Sequence, residues 1–409
     1  MKLYLFNPDT DLALSDNNEN YMAPASARVM AHDLALLPMW YAQPGSAVLA
    51  PSAYNAAFLE QMRQLFPLEV RLATEPELPD YAEAEVIPWG WNPAVRKYLL
   101  RGGIAEDKLP SSSDLQVYRE LSSRKKALEV LKTFEGVDTC CGGGDYLSEV
   151  DACKAKVDQC TDYVFKAPWS GSGKGLLWCY GNFSKAAANW CSHVLKEQGY
   201  LIGSAVYNKV EDFAMEFYST GEGTVCFTGY SLFATNKKGA YLGNRLLPSE
   251  AIEKKLAEYV PLSVLSHVCE LLQDRLSRLC GNLYIGYLGV DMMICRSGER
   301  DKYGEEDKYS EGDKSGEGDK YVVHPCVEIN LRMNMGMASR LFCDRFMDAG
   351  SSGYFSIEYH PSNEELQGKH KEDIGNFPLK VENGRLVSGY LPLVPVTPKS
   401  LYRAYVVIR

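Results

Sequence analysis

The stretch VFKAPWSGSGKGL, residues 164–176, decides the fold. Its apolar beginning predicts a β-strand that ends at Lys166, and the small residues from Ser170 to Gly173 predict a tight turn before a second strand. Glycine lets the backbone come close to a ligand, so amide groups in such a turn can approach phosphate oxygens, and Lys166 would neutralise the phosphate charge. A plain β-hairpin tip fits these residues equally well.

The turn does not follow the P-loop pattern G-x-x-x-x-G-K-[ST]. Pro168 stands where that pattern requires its first glycine, and Gly175 stands where it requires Ser or Thr. A phosphate bound here would therefore lie in a different kind of glycine-rich loop.

A second stretch, VEINLRMNMG at residues 327–336, reads as a strand with oxygen donors on one face. Side chains at positions i and i+2 of a strand point the same way, so Glu328, Asn330 and Arg332 share a face while the apolar residues between them face the core. Carboxylate and amide oxygens beside phosphate oxygens are the ligands that Mg²⁺ prefers.

Asp291 is the third candidate metal ligand. It lies in the sequence GVDMM, on a predicted strand that precedes the second stretch. If residues 288–295 and 322–331 form an antiparallel hairpin, Asp291 joins Glu328 and Asn330 on one face. The alternative is a solvated polar face on an edge hairpin, but ligand-type residues between apolar neighbours favour the metal site.

The segment between these two strands, residues 296–320, is a degenerate repeat rich in Glu, Gly, Asp, Lys and Tyr. It has almost no apolar side chains and cannot bury enough surface to order itself, so we expect a solvated hairpin tip. Calcium binding is the weaker alternative, because a lysine follows each aspartate and no EF-hand spacing occurs.

The composition excludes several classes of protein. The 409 residues are 46% hydrophobic and carry a formal charge of −10, which fits an ordinary multidomain protein rather than a nucleic-acid binder. No run approaches the ~18 apolar residues of a membrane span and no signal-peptide pattern begins the chain, so we expect a cytoplasmic protein. The 12 cysteines include no C-x-x-C pair, which argues against a zinc site and for reduced, buried thiols.

Apolar runs alternate with amphipathic ones over residues 1–110. This alternation predicts an open parallel sheet covered by helices, with strands at residues 2–6, 47–49, 69–72 and 85–88. The next segment, residues 114–134, is predicted as one helix.

Together these motifs resemble the ATP-grasp superfamily, in which a lysine before a glycine-rich loop is followed by Gly-Val-Asp and then by E-x-N-x-R. The resemblance covers roughly residues 115–345 and implies an α+β protein with the ATP-grasp fold and an N-terminal α/β open-sheet domain. It divides the chain into an N-terminal domain (1–112), a small subdomain with the glycine-rich loop (113–200), a large subdomain with the metal ligands and the repeat insertion (201–358), and a C-terminal extension (359–409).

The resemblance also assigns roles to residues. Lys166 resembles the family's phosphate-binding lysine, and Lys125 resembles a second nucleotide lysine on an upstream helix. The loop over the phosphates corresponds to Ser170, Gly171, Ser172 and Gly173, and the Mg²⁺ ligands correspond to Asp291, Glu328 and Asn330. Mn²⁺ is an alternative to Mg²⁺. Lys166 and Arg332 would stabilise the charge that develops on the transferred phosphoryl group.

In this family the adenine and the ribose meet a short hinge that contains an acidic residue. Here the hinge would run from Ser204 to Tyr207, with Val206 and Tyr207 beside the base and Glu211 or Asp212 near the ribose. Family members often have a glutamate at the start of the hinge, where this chain has a serine.

Two further features leave alternatives open. Arg245 either contacts the γ-phosphate or an acyl phosphate, or is a surface arginine in a loop. Asp9 and Asp11 follow the first predicted strand, where α/β proteins place ligand loops, and they either line an acceptor pocket or form an Asx turn.

The resemblance implies an ATP- and Mg²⁺-dependent ligase that joins a small-molecule carboxylate to an amine or another nucleophile through an acyl phosphate. A phosphotransferase that uses the same ATP site and a non-catalytic nucleotide-binding module are the alternatives. We expect neither a nucleic-acid nor a membrane partner, and a homodimer is a possible assembly.

Overall fold

A computed structural model describes residues 1–171, 173, 175–297 and 320–409. Ser172 and most of the repeat insertion lie outside the described residues, so the roles predicted for them stay predictions. Within the described residues the strands form three sheets, one near the N-terminus, one in the middle of the chain and one that extends to the C-terminus.

The N-terminal sheet is parallel, as the alternating sequence pattern predicts, and its strand order is β3-β2-β1-β4. The loops after β1 and β4 lie side by side, since the Asn7 side-chain amide donates a 2.7 Å hydrogen bond to the Gly90 carbonyl. The elements are β1 (Lys2–Leu5), β2 (Ala47–Leu49), β3 (Arg71–Ala73), β4 (Glu85–Pro88), α1 (Thr10–Asp16), α2 (Ala25–Asp33), α3 (Asn55–Arg63), α4 (Pro93–Arg101) and the 3₁₀ turns Leu37–Trp40, Glu75–Tyr81 and Glu106–Lys108.

Residues 114–134, predicted as one helix, lie in two helices, α5 (Ser112–Leu121) and α6 (Arg124–Lys132). Ser123 ends the first and caps the second, because its hydroxyl donates to the Glu120 carbonyl and accepts from the Lys126 amide. Serine competes with the helical backbone in this way and therefore favours helix ends. Arg124 consequently becomes the first residue of α6.

The second sheet is antiparallel, in the order β5-β8-β6-β7. It carries the glycine-rich turn between two of its strands, with two helices packed against it. Its elements are β5 (Asp145–Leu147), α7 (Val150–Gln159), β6 (Asp162–Lys166), β7 (Leu176–Tyr180), α8 (Lys185–Gln198) and β8 (Leu201–Ala205).

The third sheet has the order β13-β12-β9-β10-β11-β14-β17-β16-β15 in the described residues. None of the helices in the described ranges is long and apolar enough to cross a membrane. The elements of this part are β9 (Lys209–Thr220), β10 (Val225–Thr235), β11 (Tyr241–Leu246), α9 (Ser249–Ala257), α10 (Leu262–Cys280), β12 (Ile285–Ser297), β13 (Lys320–Asn330), α11 (Met335–Phe346), β14 (Gly353–Tyr359), α12 (Asn363–Asn376), β15 (Lys380–Glu382), β16 (Arg385–Pro392) and β17 (Tyr402–Ile408).

The C-terminal residues belong to the core rather than to an appendage. Strands β14, β17 and β16 continue the third sheet, and one apolar cluster joins them to the N-terminal domain. Trp40, which is buried, packs edge-on against Phe342 and Phe346, and its indole nitrogen donates to the Leu393 carbonyl at 2.6 Å. The two ends of the chain therefore stabilise each other.

We predict that residues 298–319 can be replaced by Asn-Gly with a change in melting temperature of no more than about 2 °C. Ser297 and Lys320 are paired directly across β12 and β13, so a two-residue turn can close the hairpin there. Calorimetry of the shortened protein tests this. As a control, Val323→Asp, which places a charge in the buried part of β13, should lower the melting temperature strongly. A loss of similar size in the shortened protein would show that the insertion stabilises the fold.

Candidate active site

The metal-ligand candidates lie on the paired strands β12 and β13. These strands are antiparallel, with Asp291 directly opposite Glu328 and Gly289 directly opposite Asn330. Directly opposed residues project from the same side of a sheet, so the three candidate side chains share one face. The hairpin that the sequence predicted does bring them together.

Asp291 lies in a strongly unfavourable environment for a negative charge. Burial raises the pKa of its carboxyl well above the usual range, and the neighbouring carboxylates of Glu328 and Glu216 raise it further. A hydrogen bond from Asn330 and the charge of Arg332 act in the opposite direction. A cation at this position would remove the repulsion between the two opposed carboxylates.

Arg124 binds one of these carboxylates, that of Glu328. One of its terminal nitrogens donates to the Ala167 carbonyl at 2.6 Å and to the Ser170 hydroxyl at 2.5 Å, and the other donates to a Glu328 carboxylate oxygen at 2.9 Å. The side chain is 5% exposed. It thus joins the glycine-rich loop of the second sheet to the carboxylates of the third.

Lys125, the predicted second nucleotide lysine, is not brought to this cluster. Its ammonium group lies 5.7 Å from the centre of the Tyr146 ring. The reason is helical geometry: Arg124, Leu128 and Leu131 lie on the buried face of α6, and Lys125 is rotated about 100° away from Arg124. The cation of α6 that does lie in this cluster is Arg124, one residue before Lys125.

Lys166 ends β6 and lines the same cleft. Burial lowers the pKa of its ammonium group to about 8, and the adjacent charge of Arg124 contributes to the decrease. The carboxylate of Glu328 acts in the opposite direction. Two cations held close together without a full complement of anions form a site suited to a polyanion such as a phosphate chain.

The described glycines of the glycine-rich loop, Gly171 and Gly173, lie against two other parts of the chain. A Cβ atom at Gly171 would lie 2.5 Å from a carboxylate oxygen of Asp11, and a Cβ atom at Gly173 would lie 2.7 Å from the Gly239 carbonyl. Gly173 also has a φ of +73°, which an L side chain rarely adopts. Glycine at both positions therefore permits close contact with the N-terminal domain and with the β10–β11 turn.

Arg332 connects the strand of metal-ligand candidates to the N-terminal domain. Its guanidinium donates two hydrogen bonds to the carboxylate of Asp11, at 3.0 and 2.7 Å. The sequence predicted Arg332 on the same face as Glu328, and the charge of Arg332 acts to lower the pKa of Asp291. Asp11, which the sequence left open as an acceptor residue or a turn residue, thus lies at the edge of the same cleft.

Asp212 lies on the cleft face of β9, where it is bound by Lys209 and by the Thr235 hydroxyl at 2.7 Å. Glu211 and Arg245, also predicted site residues, lie on the opposite face. They contact each other at 3.8 Å, and the residues that share their face, such as Phe213, are buried beneath helix α10. Because side chains alternate along a strand, adjacent Glu211 and Asp212 cannot both reach the cleft.

The hinge predicted at Ser204–Tyr207 follows the end of β8. Ser204 is buried and lines the cleft, and the Val206 amide donates to the Asp162 carbonyl at 3.2 Å. The ring of Tyr207 meets the ring of His324 edge-on, with centres 5.1 Å apart. His324 belongs to β13, so the hinge and the strand of metal-ligand candidates border the same space.

Arg124, His324 and Cys326 also line the cleft and are not among the residues predicted from the sequence. Two ordinary signals were present. Arg124, Ala127, Leu128 and Leu131 follow the i, i+3, i+4, i+7 spacing of a buried helix face. His324 and Cys326 precede Glu328 at alternate positions of one strand, which predicts a common face.

The residues present fit a divalent cation only in company with phosphate. Within the described ranges, no group of three or more His, Cys, Asp or Glu side chains is arranged to hold a metal ion by itself. Asp291 and Glu328 supply two carboxylates, and Asn330 can supply an amide oxygen. Mg²⁺ is usually bound by one or two carboxylates together with substrate phosphates and water, which matches this incomplete protein set.

The cleft between the second and third sheets holds a cavity of about 20 Å³, lined by Arg124, Lys166, Ser204, His324 and neighbouring apolar residues. A volume of this size holds about one water molecule, so a nucleotide requires the cleft to widen. A larger cavity of about 460 Å³ lies elsewhere, between α3 and α12, and its lining residues in the described part of the chain include no Lys, Arg, Asp or Glu. We assign the site to the cleft because the charged groups converge there.

No protein-family model matches the sequence, and neither does any curated protein. The structure is similar to that of a biotin carboxylase–β,γ-ATP complex from Campylobacter jejuni. The TM-score is 0.51, and the two chains are 11% identical over 100% of this chain and 87% of that chain. It is also similar to N5-carboxyaminoimidazole ribonucleotide synthetase from Thermus thermophilus, with a TM-score of 0.48 and 13% identity over 100% and 94% of the two chains.

At such low identity the likeness bears on the fold alone. The parallel N-terminal sheet and the large antiparallel sheet agree with it. Biotin carboxylase is an ATP-grasp protein, and the fold predicted from the sequence motifs is confirmed: the chain has the ATP-grasp fold.

Proposed function

We propose that this chain is an ATP- and Mg²⁺-dependent ligase that joins a carboxylate to an amine or another nucleophile. The observation that carries the proposal is the cleft in which Arg124 binds Glu328 and Lys166 lies close to both, while Asp291 is paired with Glu328 on the neighbouring strand. Cations on one side and oxygen donors on the other are what a nucleoside triphosphate and its divalent cation require. No protein nucleophile is needed for this reaction.

In the proposed reaction, a carboxylate oxygen of the substrate forms a bond to the γ-phosphorus of ATP. The bond from that phosphorus to the β–γ bridging oxygen breaks, and ADP leaves with the bond electrons. The amine nitrogen then attacks the acyl carbon, the carbon–oxygen bond to phosphate breaks, inorganic phosphate leaves, and the nitrogen loses a proton to solvent.

The residues of this chain would contribute charge, position and exclusion of water. Lys166 and Arg124 would neutralise the phosphate chain, and the glycine-rich loop would cover it. When bound, Mg²⁺ held by Asp291, Glu328 and Asn330 would supply further neutralisation of phosphate charge.

Arg332 is our candidate for the carboxylate end of the site. Its guanidinium already binds one carboxylate, that of Asp11, with two hydrogen bonds. A substrate carboxylate could be bound with the same geometry, beside the strand that carries the metal-ligand candidates. Arg245 has no part in this proposal because it lies on the other face of the sheet.

A thermal-shift titration tests the nucleotide site. We predict that a non-hydrolysable ATP analogue raises the melting temperature only with Mg²⁺, and that Lys166→Ala and Glu328→Gln each abolish the rise, because they remove phosphate neutralisation and a metal ligand respectively. Glu270→Gln, a change on the exposed side of α10, is the matched control and should behave as wild type.

The same proteins then go into an ADP-release assay with mixtures of small carboxylates and amines. Release that requires both substrates supports the ligase. A stable phosphorylated product formed from one substrate would instead identify a phosphotransferase. Nucleotide binding without ADP release in any mixture would identify a binding module.

A comparison of two adjacent cations tests the assignment of Arg124. We predict that Arg124→Lys weakens binding of the ATP analogue about tenfold, since lysine cannot reproduce the forked hydrogen bonds to Ser170 and Glu328. Lys125→Ala should leave the affinity unchanged because its side chain lies outside the cleft. Isothermal calorimetry measures both. A larger loss in the Lys125 variant would return the role to the lysine.

The pH dependence of nucleotide affinity tests Lys166. Because burial lowers the pKa of this group to about 8, the free protein carries the charge below that pH and loses it above. We therefore predict that affinity is constant near pH 7 and falls up to about tenfold per unit above pH 8. Lys166→Arg keeps its charge and should abolish the fall. A wild-type affinity that is flat up to pH 9 would contradict the assignment.

A further inference from the structure

The larger cavity, of about 460 Å³, lies where α3 of the N-terminal domain meets α12 and the end of β16. Buried side chains of α3 and β16 line it, among them Phe58, Met62 and Leu391. Its volume falls within the range of about 300–1,000 Å³ that is typical of small-molecule sites. Among the described residues, none lines both this cavity and the nucleotide cleft.

The lining of the cavity carries no fixed charge, since the described residues that form it include no Lys, Arg, Asp or Glu. Its His370 ring has Nδ1 at 2.8 Å from the Tyr390 hydroxyl, and burial together with the charge of Arg403 lowers the pKa of this ring, which is therefore neutral near pH 7. Arg403 is itself buried and paired with Glu358 and Asp373. A charged ligand would lose hydration here without gaining a partner of opposite sign, so the cavity favours an uncharged one.

Large apolar side chains surround the mouth of the cavity. Tyr54, Ile374 and Leu379 belong to its lining, and more than a third of the surface of each is exposed. Such side chains are unremarkable when they are scattered singly, but a group of them around one concave space is typical of a binding site. A molecule in the cavity would remove part of this apolar surface from water.

Tyr54 is held in a backbone conformation that its residue type does not favour. Its φ is +63°, which bulky L residues rarely adopt. It also occupies the N-cap position of α3 without a side-chain capping bond, where Ser, Thr, Asp, Asn or Gly is preferred. Backbone strain of this kind costs stability and is concentrated at functional sites. The placement of the Tyr54 ring at the mouth of the cavity is the feature that this conformation provides.

We propose that this cavity is a separate binding site for a small, uncharged molecule with a largely apolar surface, and that the Tyr54 ring lies against the bound molecule. The proposal goes beyond the ligase reaction and does not depend on the nucleotide site. A small molecule suits the space better than a protein segment does, because helices and a strand enclose a concave volume there rather than a flat face.

The test uses Nile red, an uncharged dye whose fluorescence increases in apolar surroundings, with the full-length protein. We expect saturable binding of one dye molecule per chain. Ala57→Trp fills the cavity from an exposed position of α3 and should lower the affinity about tenfold or more. Ala56→Trp is the matched control, since Ala56 is exposed on the same helix and does not line the cavity, and it should bind the dye as wild type does.

Two competitors with the same rings test the role of charge. Methyl 2-naphthoate should displace Nile red, whereas 2-naphthoate, which is negatively charged, should require a concentration about tenfold higher or more. Tyr54→Gly tests the ring. It should weaken dye binding about threefold without lowering the melting temperature, because glycine adopts positive φ without strain. A ring with a structural role alone would give the opposite result, a lower melting temperature and an unchanged dye affinity.

Three other results would also overturn the proposal: equal dye affinity in wild type and Ala57→Trp, binding that does not saturate, or equal displacement by the two naphthoates. Sedimentation of the undyed proteins covers the remaining occupant. Self-association of wild type that Ala57→Trp abolishes would show that the cavity receives a second copy of the chain rather than a small molecule.

Discussion

Two carboxylates that face each other inside the protein impose the strongest constraint on this structure. Asp291 and Glu328 are directly paired across two strands, and burial together with the charge of Glu328 raises the pKa of the Asp291 carboxyl. Removing one partner of a buried charged group typically costs ~3–5 kcal/mol of stability. The position of Arg124, which donates to Glu328 from the first turn of α6, follows from this requirement. So does the packing of α6 against β13, since the helix must begin where its first side chain can reach the carboxylate.

The repeat of side-chain directions along a strand or a helix predicted those parts of the candidate site that lie within one element. The two-residue repeat of a strand placed Glu328 and Asn330 on one face, and the pairing of β12 with β13 added Asp291. The same rule, applied to β9, places Glu211 and Asp212, the two alternatives for the ribose, on opposite faces. The helical repeat of α6 would likewise have favoured Arg124 over Lys125. Both predictions came from resemblance to a family. Such a resemblance indicates the segment that carries a role but does not identify the residue within that segment.

Contacts between distant segments could not be read from the chain. Arg332 binds Asp11 across more than 300 positions of sequence, and Trp40 binds the Leu393 carbonyl across a similar separation. No local pattern encodes such pairs, because they depend on how whole sheets pack. The division into four units had the same weakness: residues 359–409 read as an extension, yet their strands complete the third sheet and share an apolar cluster with the N-terminal domain.

If the proposed nucleotide binds in the cleft, the charges there explain how a site with so little free volume could accept it. Arg124 is bound to Glu328, and a cavity of about 20 Å³ remains beside them. Arrival of a phosphate chain with its cation would give each group a new partner of opposite sign, phosphate for Arg124 and metal for Glu328. Each charge would still have a partner of opposite sign, so the opened and occupied cleft would contain no unpaired buried charge. If phosphate bound without the cation, Arg124 would leave Glu328 without a partner of opposite sign. The proposed nucleotide binding would therefore depend on the divalent cation because of the Arg124–Glu328 ion pair.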